Sequence, residues 1–205
     1  MDVSNYPDYV TALCNTCQTF GERGWCRATS GNFSCRVGKG NLLITQSGCD
    51  KSSLQSRDLM LCDTEGNGLE TECKPSSETA LHCRLYQIDP SIGAVFHTHS
   101  VTATALSRIR QSPLIIKGYE MQKALAGCDS HASEIRVKIF ENDQDMVALA
   151  NQIETAWSDD ELVTPGFLIA GHGLYAWGTD IDQARRHLEG LEFLLECQWQ
   201  ESLTN

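Results

Sequence analysis

Along the first segment, Leu13, Cys17 and Phe20 recur three or four positions apart, the spacing of one face of a helix. The pattern predicts a helix over residues 6–22, stopped at Gly21 or Gly24, either of which suits the residue after a helix. The period then shortens. A small-residue turn, Ala28-Thr29-Ser30-Gly31-Asn32, leads into a strand to Arg36, and a second strand over 41–45 runs into Gln46-Ser47-Gly48-Cys49-Asp50-Lys51. A third over 59–63 closes in a hairpin-type turn, Asp63 to Gly68. Lys74-Pro75-Ser76-Ser77-Glu78-Thr79 opens a helix through Leu85 and Tyr86, with Ser76 or Ser77 as N-cap.

The apolar run Ala94-Val95-Phe96 ends in His97-Thr98-His99 and predicts a strand. Residues 101–109 read as a short helix, 117–125 as a turn and helix, and 135–140 alternate as a half-buried strand should. Residues 141–145 cap a helix to about Trp157; a strand pair follows around Gly171-His172-Gly173, and Asp180 starts a terminal helix continuing past Leu195. Strands and helices alternate, which predicts an α/β fold: one central, predominantly antiparallel sheet covered by helices.

With 205 residues and 41% hydrophobic content, the chain can fill one substantial core, so a single domain over 1–205 is expected. A net charge of -11 argues against nucleic acid or an anionic membrane as partner, since both reward basic patches. The amino terminus has neither a basic stretch nor an apolar core of signal-peptide type, and no apolar run has membrane length, so a cytoplasmic protein is expected. Ten cysteines are irregularly spaced and read as reduced, mostly buried residues. Cys14-Asn15-Thr16-Cys17 is a C-x-x-C, but no second follows and it lies on the helical stripe, so packing explains it better than redox or metal chemistry.

Alternate side chains of a strand share a face, so His97 and His99 point the same way. Two imidazoles do not complete a zinc site. His172 is the candidate third ligand, because glycines on both sides let its backbone turn tightly and approach closely. His82, His131 and His187 read instead as buried histidines satisfied by hydrogen bonds. The turns at Gly31-Asn32, Ser47-Gly48 and Ser76-Ser77 present N–H groups and hydroxyls, the equipment of an anion-binding nest. Glu78, in a first helical turn, has a plain reading as dipole compensation.

Taken in order, Ser30-Gly31-Asn32, Ser47-Gly48, Ser76-Ser77-Glu78, His97-Thr98-His99 and Gly171-His172-Gly173 resemble the class II aldolase and adducin head family. The resemblance spans nearly the whole chain. It implies one Zn2+ per subunit held by His97, His99 and His172, and a phosphorylated keto-sugar substrate whose phosphate sits on Gly31, Asn32, Ser47, Gly48, Ser76 and Ser77. It also implies a homotetramer with active sites near subunit interfaces. Within the family, residues 120–125 and 140–145 resemble the lyases of methionine salvage that dehydrate 5-methylthioribulose 1-phosphate, which implies Glu120 as the group that shuttles the proton. Two alternatives stand beside that expectation. One is a sugar-phosphate aldolase or epimerase of fuculose or ribulose phosphate type, with Glu78 as acid/base; the other is an adducin-like interaction module without chemistry.

Overall fold

Eight strands form one sheet in the order β3-β2-β1-β4-β8-β7-β6-β5. The structure is a computed structural model that describes residues 2–38, 40–69 and 75–204. The strands are β1 (Asn32–Val37), β2 (Asn41–Thr45), β3 (Leu59–Cys62), β4 (Ala94–Thr98), β5 (Leu114–Ile116), β6 (Ile135–Phe140), β7 (Gly166–Ile169) and β8 (Gly173–Gly178). Every pairing is antiparallel except β6 with β7, so the fold is α/β with a mixed, mostly antiparallel sheet.

Among the described residues, five α-helices cover the sheet: α1 (Pro7–Glu22), α2 (Thr79–Ile88), α3 (Val101–Ile109), α4 (Met146–Ser158) and α5 (Ile181–Ser202). Ala94 and Phe96 of β4 join one apolar cluster, with α1, α3 and α5; Val95 joins the other, with α2 and α4. Burial on both faces explains why several strands read as unbroken apolar runs rather than alternating ones. The stripe Leu13, Cys17 and Phe20 is fully buried. Cys14 and Cys17 are free thiols in that packing, and burial pushes both thiols up.

Three local expectations change. The segment at 117–125 is a 3-10 turn over Glu120–Ala124: the Gln122 side chain accepts from the Tyr119 N–H at 2.9 Å and caps its start, and the extended backbone of Leu125 ends it. β5 was not expected: it is three residues long and defined only by its pairing with β6. The N-cap of α2 is Glu78, in helical backbone conformation, rather than Ser76 or Ser77; Ser76 instead accepts from the Glu78 N–H at 3.3 Å. Lys74, at the expected start of that segment, lies outside the described residues. Among the described residues, no helix is long and apolar enough to cross a membrane.

Candidate metal centre and substrate cleft

One end of the sheet gathers the chemistry. Asn32 at the start of β1 pairs with His97 near the end of β4, and Thr98 pairs with Leu174 at the start of β8. His97, His99 and His172 therefore converge, with ring centroids 4.5, 5.0 and 4.6 Å apart. The glycines beside His172 are required: Gly171 has φ +65, and a Cβ on Gly173 would lie 2.0 Å from the Thr98 carbonyl oxygen.

A fourth group joins them. Glu78 Oε1 lies 2.8 Å from His172 Nε2 and 3.5 Å from His97 Nε2, and one ligand atom from each of the four residues falls within 4.8 Å of the rest. Four ligands of one zinc sit roughly 3.4 Å apart, given bonds of about 2.1 Å, so small side-chain adjustments suffice to close the set. The His97 ring donates from Nδ1 to the Leu174 carbonyl at 2.9 Å, which directs the Nε2 lone pair into the cluster. His97 Nε2 and His99 Nε2 are buried without a hydrogen-bond partner. Buried polar atoms are normally paired, and orphaned imidazole nitrogens beside a carboxylate are what a divalent cation requires.

The electrostatics agree. Burial holds His97 far below its ordinary range and His99 down to about 4. Both rings are therefore neutral near pH 7, the form that ligates metal. Burial acts to raise the Glu78 carboxyl, but the surrounding imidazoles of His97, His172 and His99 outweigh it and keep it well below the usual carboxylate range.

Glu78 is held in place by a chain of hydrogen bonds that the sequence reading missed. The Asn32 amide nitrogen donates to Glu78 Oε2, and the Asn32 carbonyl oxygen meets His82 Nε2. His82 Nδ1 lies 2.7 Å from the Ser34 hydroxyl, itself 2.9 Å from the Tyr86 hydroxyl. One proton arrangement satisfies every member: Tyr86 to Ser34 to His82, and His82 to Asn32 to Glu78. The signal was present, since Glu78, His82 and Tyr86 are spaced i, i+4, i+8 along one face of α2, and Asn32 and Ser34 share a face of β1. His82 and His187 are buried and hydrogen-bonded as expected, whereas His131 is 56% exposed and pairs with Glu120 at 3.0 Å.

Around the cluster opens a cleft of about 590 Å³, lined among others by Gly31, Asn32, Ser47, Gly48, Ser76, Ser77, Glu78, His99 and His172. The donor-rich turns are thus brought to one place. Asn32 lines it with its amide already committed to Glu78 and His82. Glu120 does not line it: its side chain is 72% exposed, 2.6 Å from Lys123 Nζ, and Lys123 beside it holds the carboxyl below its usual range. Lys51, with no role assigned from sequence, is in the cleft wall.

The profile described as Class II Aldolase and Adducin N-terminal domain matches residues 11–199. The chain belongs to this family. Two proteins named methylthioribulose-1-phosphate dehydratase resemble it over nearly its whole length. That from Pectobacterium atrosepticum is 50% identical over 195 residues, covering 95% of each chain. That from Yersinia pestis is 50% identical over 193 residues, covering 94% of this chain and 86% of its own. Among solved structures, the L-fuculose-1-phosphate aldolase of Thermus thermophilus aligns with a TM-score of 0.77 at 26% identity, covering 96% of each chain. A second L-fuculose 1-phosphate aldolase, at 23% identity and a TM-score of 0.79 over 97% of this chain and 88% of its own, shares the fold. The two aldolases thus share the fold, while the dehydratases share half of the residues.

Proposed function

We propose that this protein is a metal-dependent lyase that removes water from 5-methylthioribulose 1-phosphate, giving 5-methylthio-2,3-dioxopentyl phosphate in methionine salvage. The observation that carries this reading is half-identity over 95% of the chain with a protein of that name. The metal cluster at the cleft gives the activity a physical basis.

The metal in this reading is one Zn2+ per subunit, held by His97, His99 and His172, with Glu78 as a fourth ligand. When bound, such an ion supplies Lewis-acid polarisation of the substrate's ketone. The turns at Gly31-Asn32, Ser47-Gly48 and Ser76-Ser77 bind the phosphate through N–H and hydroxyl donors. Glu120 takes the proton from carbon 3 and delivers it toward the departing carbon 4 hydroxyl. Because its carboxylate is exposed and absent from its own cleft, Glu120 acts in the cleft of a neighbouring subunit. A homotetramer with interfacial active sites meets that requirement. Exposed Met121 and Phe193 flank a groove beside Glu120 and give that face apolar surface to bury.

The rival reading is retro-aldol cleavage with Glu78 as acid/base, favoured by its direct contact with His172. An adducin-like module without chemistry has no use for the orphaned imidazole nitrogens of His97 and His99. The experiment is incubation of zinc-loaded protein with 5-methylthioribulose 1-phosphate, followed by mass spectrometry. A product lighter by one water is expected; two shorter fragments would overturn the dehydratase in favour of the aldolase.

A further inference from the structure

Two features of the cleft orient its ligand. Among the described residues that line it, Lys51 is the one Lys or Arg, yet only 1% of its surface is exposed. Its ammonium donates to the Cys49 carbonyl at 2.7 Å and to the Thr29 carbonyl at 3.1 Å, tying two of the donor-rich turns together. Thr29, like Ala28, holds left-handed backbone at φ 66 and 52, a strain that persists only where the surroundings enforce it. Gly21 lets α1 press on the turn that carries Lys51, since a Cβ there would lie 2.6 Å from the Ser52 nitrogen. Two of the three ammonium donors are used, and among the described residues no carboxylate pairs with the charge. A buried cation with no carboxylate in ion-pair contact is costly, and an anion entering the cleft relieves that cost.

At the other side stands Met146, the first residue of α4. Among the residues lining the cleft, it alone has a side chain with no hydrogen-bonding or ionisable N or O group. It is partly buried against the apolar cluster that contains Phe140 and Ile169. Lys51 follows β2 and Met146 follows β6, and in the sheet β1, β4, β8 and β7 lie between those strands. The histidine cluster, at the ends of β4 and β8, therefore sits between a cation and a thioether.

We infer that the substrate lies across the strand ends with its phosphate at Lys51 and its methylthio end at Met146, making Met146 the residue that selects an apolar terminal group. The identity of the apolar end rests on the dehydratase reading; the anionic end does not. A thioether is polarizable and suits a methylthio partner, whereas the polar walls elsewhere favour a hydroxyl.

The test compares kcat/KM for 5-methylthioribulose 1-phosphate and for ribulose 1-phosphate, which has a hydroxyl in place of the methylthio group. Calorimetric titration of the metal-loaded protein with inorganic phosphate runs alongside. Met146→Asn should cut the methylthio-over-hydroxyl ratio by about tenfold or more, while Met146→Leu keeps it within about threefold. Lys51→Met should weaken phosphate binding on the order of 10- to 100-fold, leaving the ratio unchanged, and Lys51→Arg should retain most of the affinity. Equal losses on both substrates in Met146→Asn, or unchanged phosphate affinity in a folded Lys51→Met protein, would overturn the assignment. Turnover of neither sugar phosphate by the unaltered protein would instead remove the dehydratase reading, and with it the role of Met146. The phosphate titration then judges the Lys51 anchor by itself.

Discussion

Glu78 and Glu120 are both carboxylates at the start of a helical turn, and the fold gives them opposite surroundings. Glu78 is 12% exposed, contacts two imidazoles, and is held from behind by Asn32 and His82. Glu120 is 72% exposed, with Lys123 and His131 beside it in open solvent. A carboxylate fixed by a buried network suits ligation, which needs a set position. One on the surface is free to serve a second molecule. In the proposed reading the difference is one of division of labour: one chain builds the cluster able to hold a metal, and a neighbour supplies the proton shuttle.

The largest effect expected is from the imidazoles. His97→Ala or His99→Ala should lose metal and activity together, with turnover down by at least about a thousandfold, since the Lewis acid goes with the ligand; metal content and initial rates measure both. Full activity in either variant would remove these histidines from the site. Glu120→Gln should keep its metal and fold while losing about 10²- to 10⁴-fold in rate. The sharper form mixes Glu120→Gln with His97→Ala protein and allows subunits to exchange. Recovery of activity is expected, because mixed assemblies contain clefts with an intact cluster and an intact Glu120. No recovery, in assemblies shown to be mixed, would return the acid/base role to a residue of the same chain.

Loosening the support of Glu78 should cost less. His82→Phe or Asn32→Ala should reduce metal affinity or activity by about 10- to 100-fold, the usual scale for groups that orient a ligand; metal titration against a competing chelator reads this directly. The last effect is on stability rather than on rate or metal affinity, and it depends on pH. Burial lowers His82 to about 4, below its ordinary value of about 6.5. The unfolded chain then binds the extra proton first. The stability tied to neutral His82 is complete above about pH 6.5 and falls away as pH drops toward 4, by up to about 3 kcal/mol. Melting of the metal-free protein across that range should show the loss, and a His82→Phe variant should show a shallower one.

Much of this was readable along the chain. The β4 run placed His97 and His99 on one face because strand alternation is local geometry, and the glycines around His172 announced a close backbone approach. The donor-rich turns were visible by composition. The Glu78, His82 and Tyr86 spacing is equally local, yet along the chain His82 looks like a lone core histidine because its partners, Asn32 and Ser34, come from a distant strand. The 3-10 turn at Glu120–Ala124 escaped periodicity because it ends after five residues, where Leu125 takes extended backbone.

The sequence by itself determined most of the elements, the three histidines that converge and the family, because helix and strand periods and short motifs depend on neighbours a few residues apart. Tertiary structure alone decided that Glu78 joins the cluster while Glu120 faces away from its own cleft. It alone buried Lys51 with no ion-pair partner among the described residues and set Met146 across the histidine cluster from it. Each of these depends on the order of strands in the sheet, where contacts join segments far apart in the chain and leave no periodic trace along it.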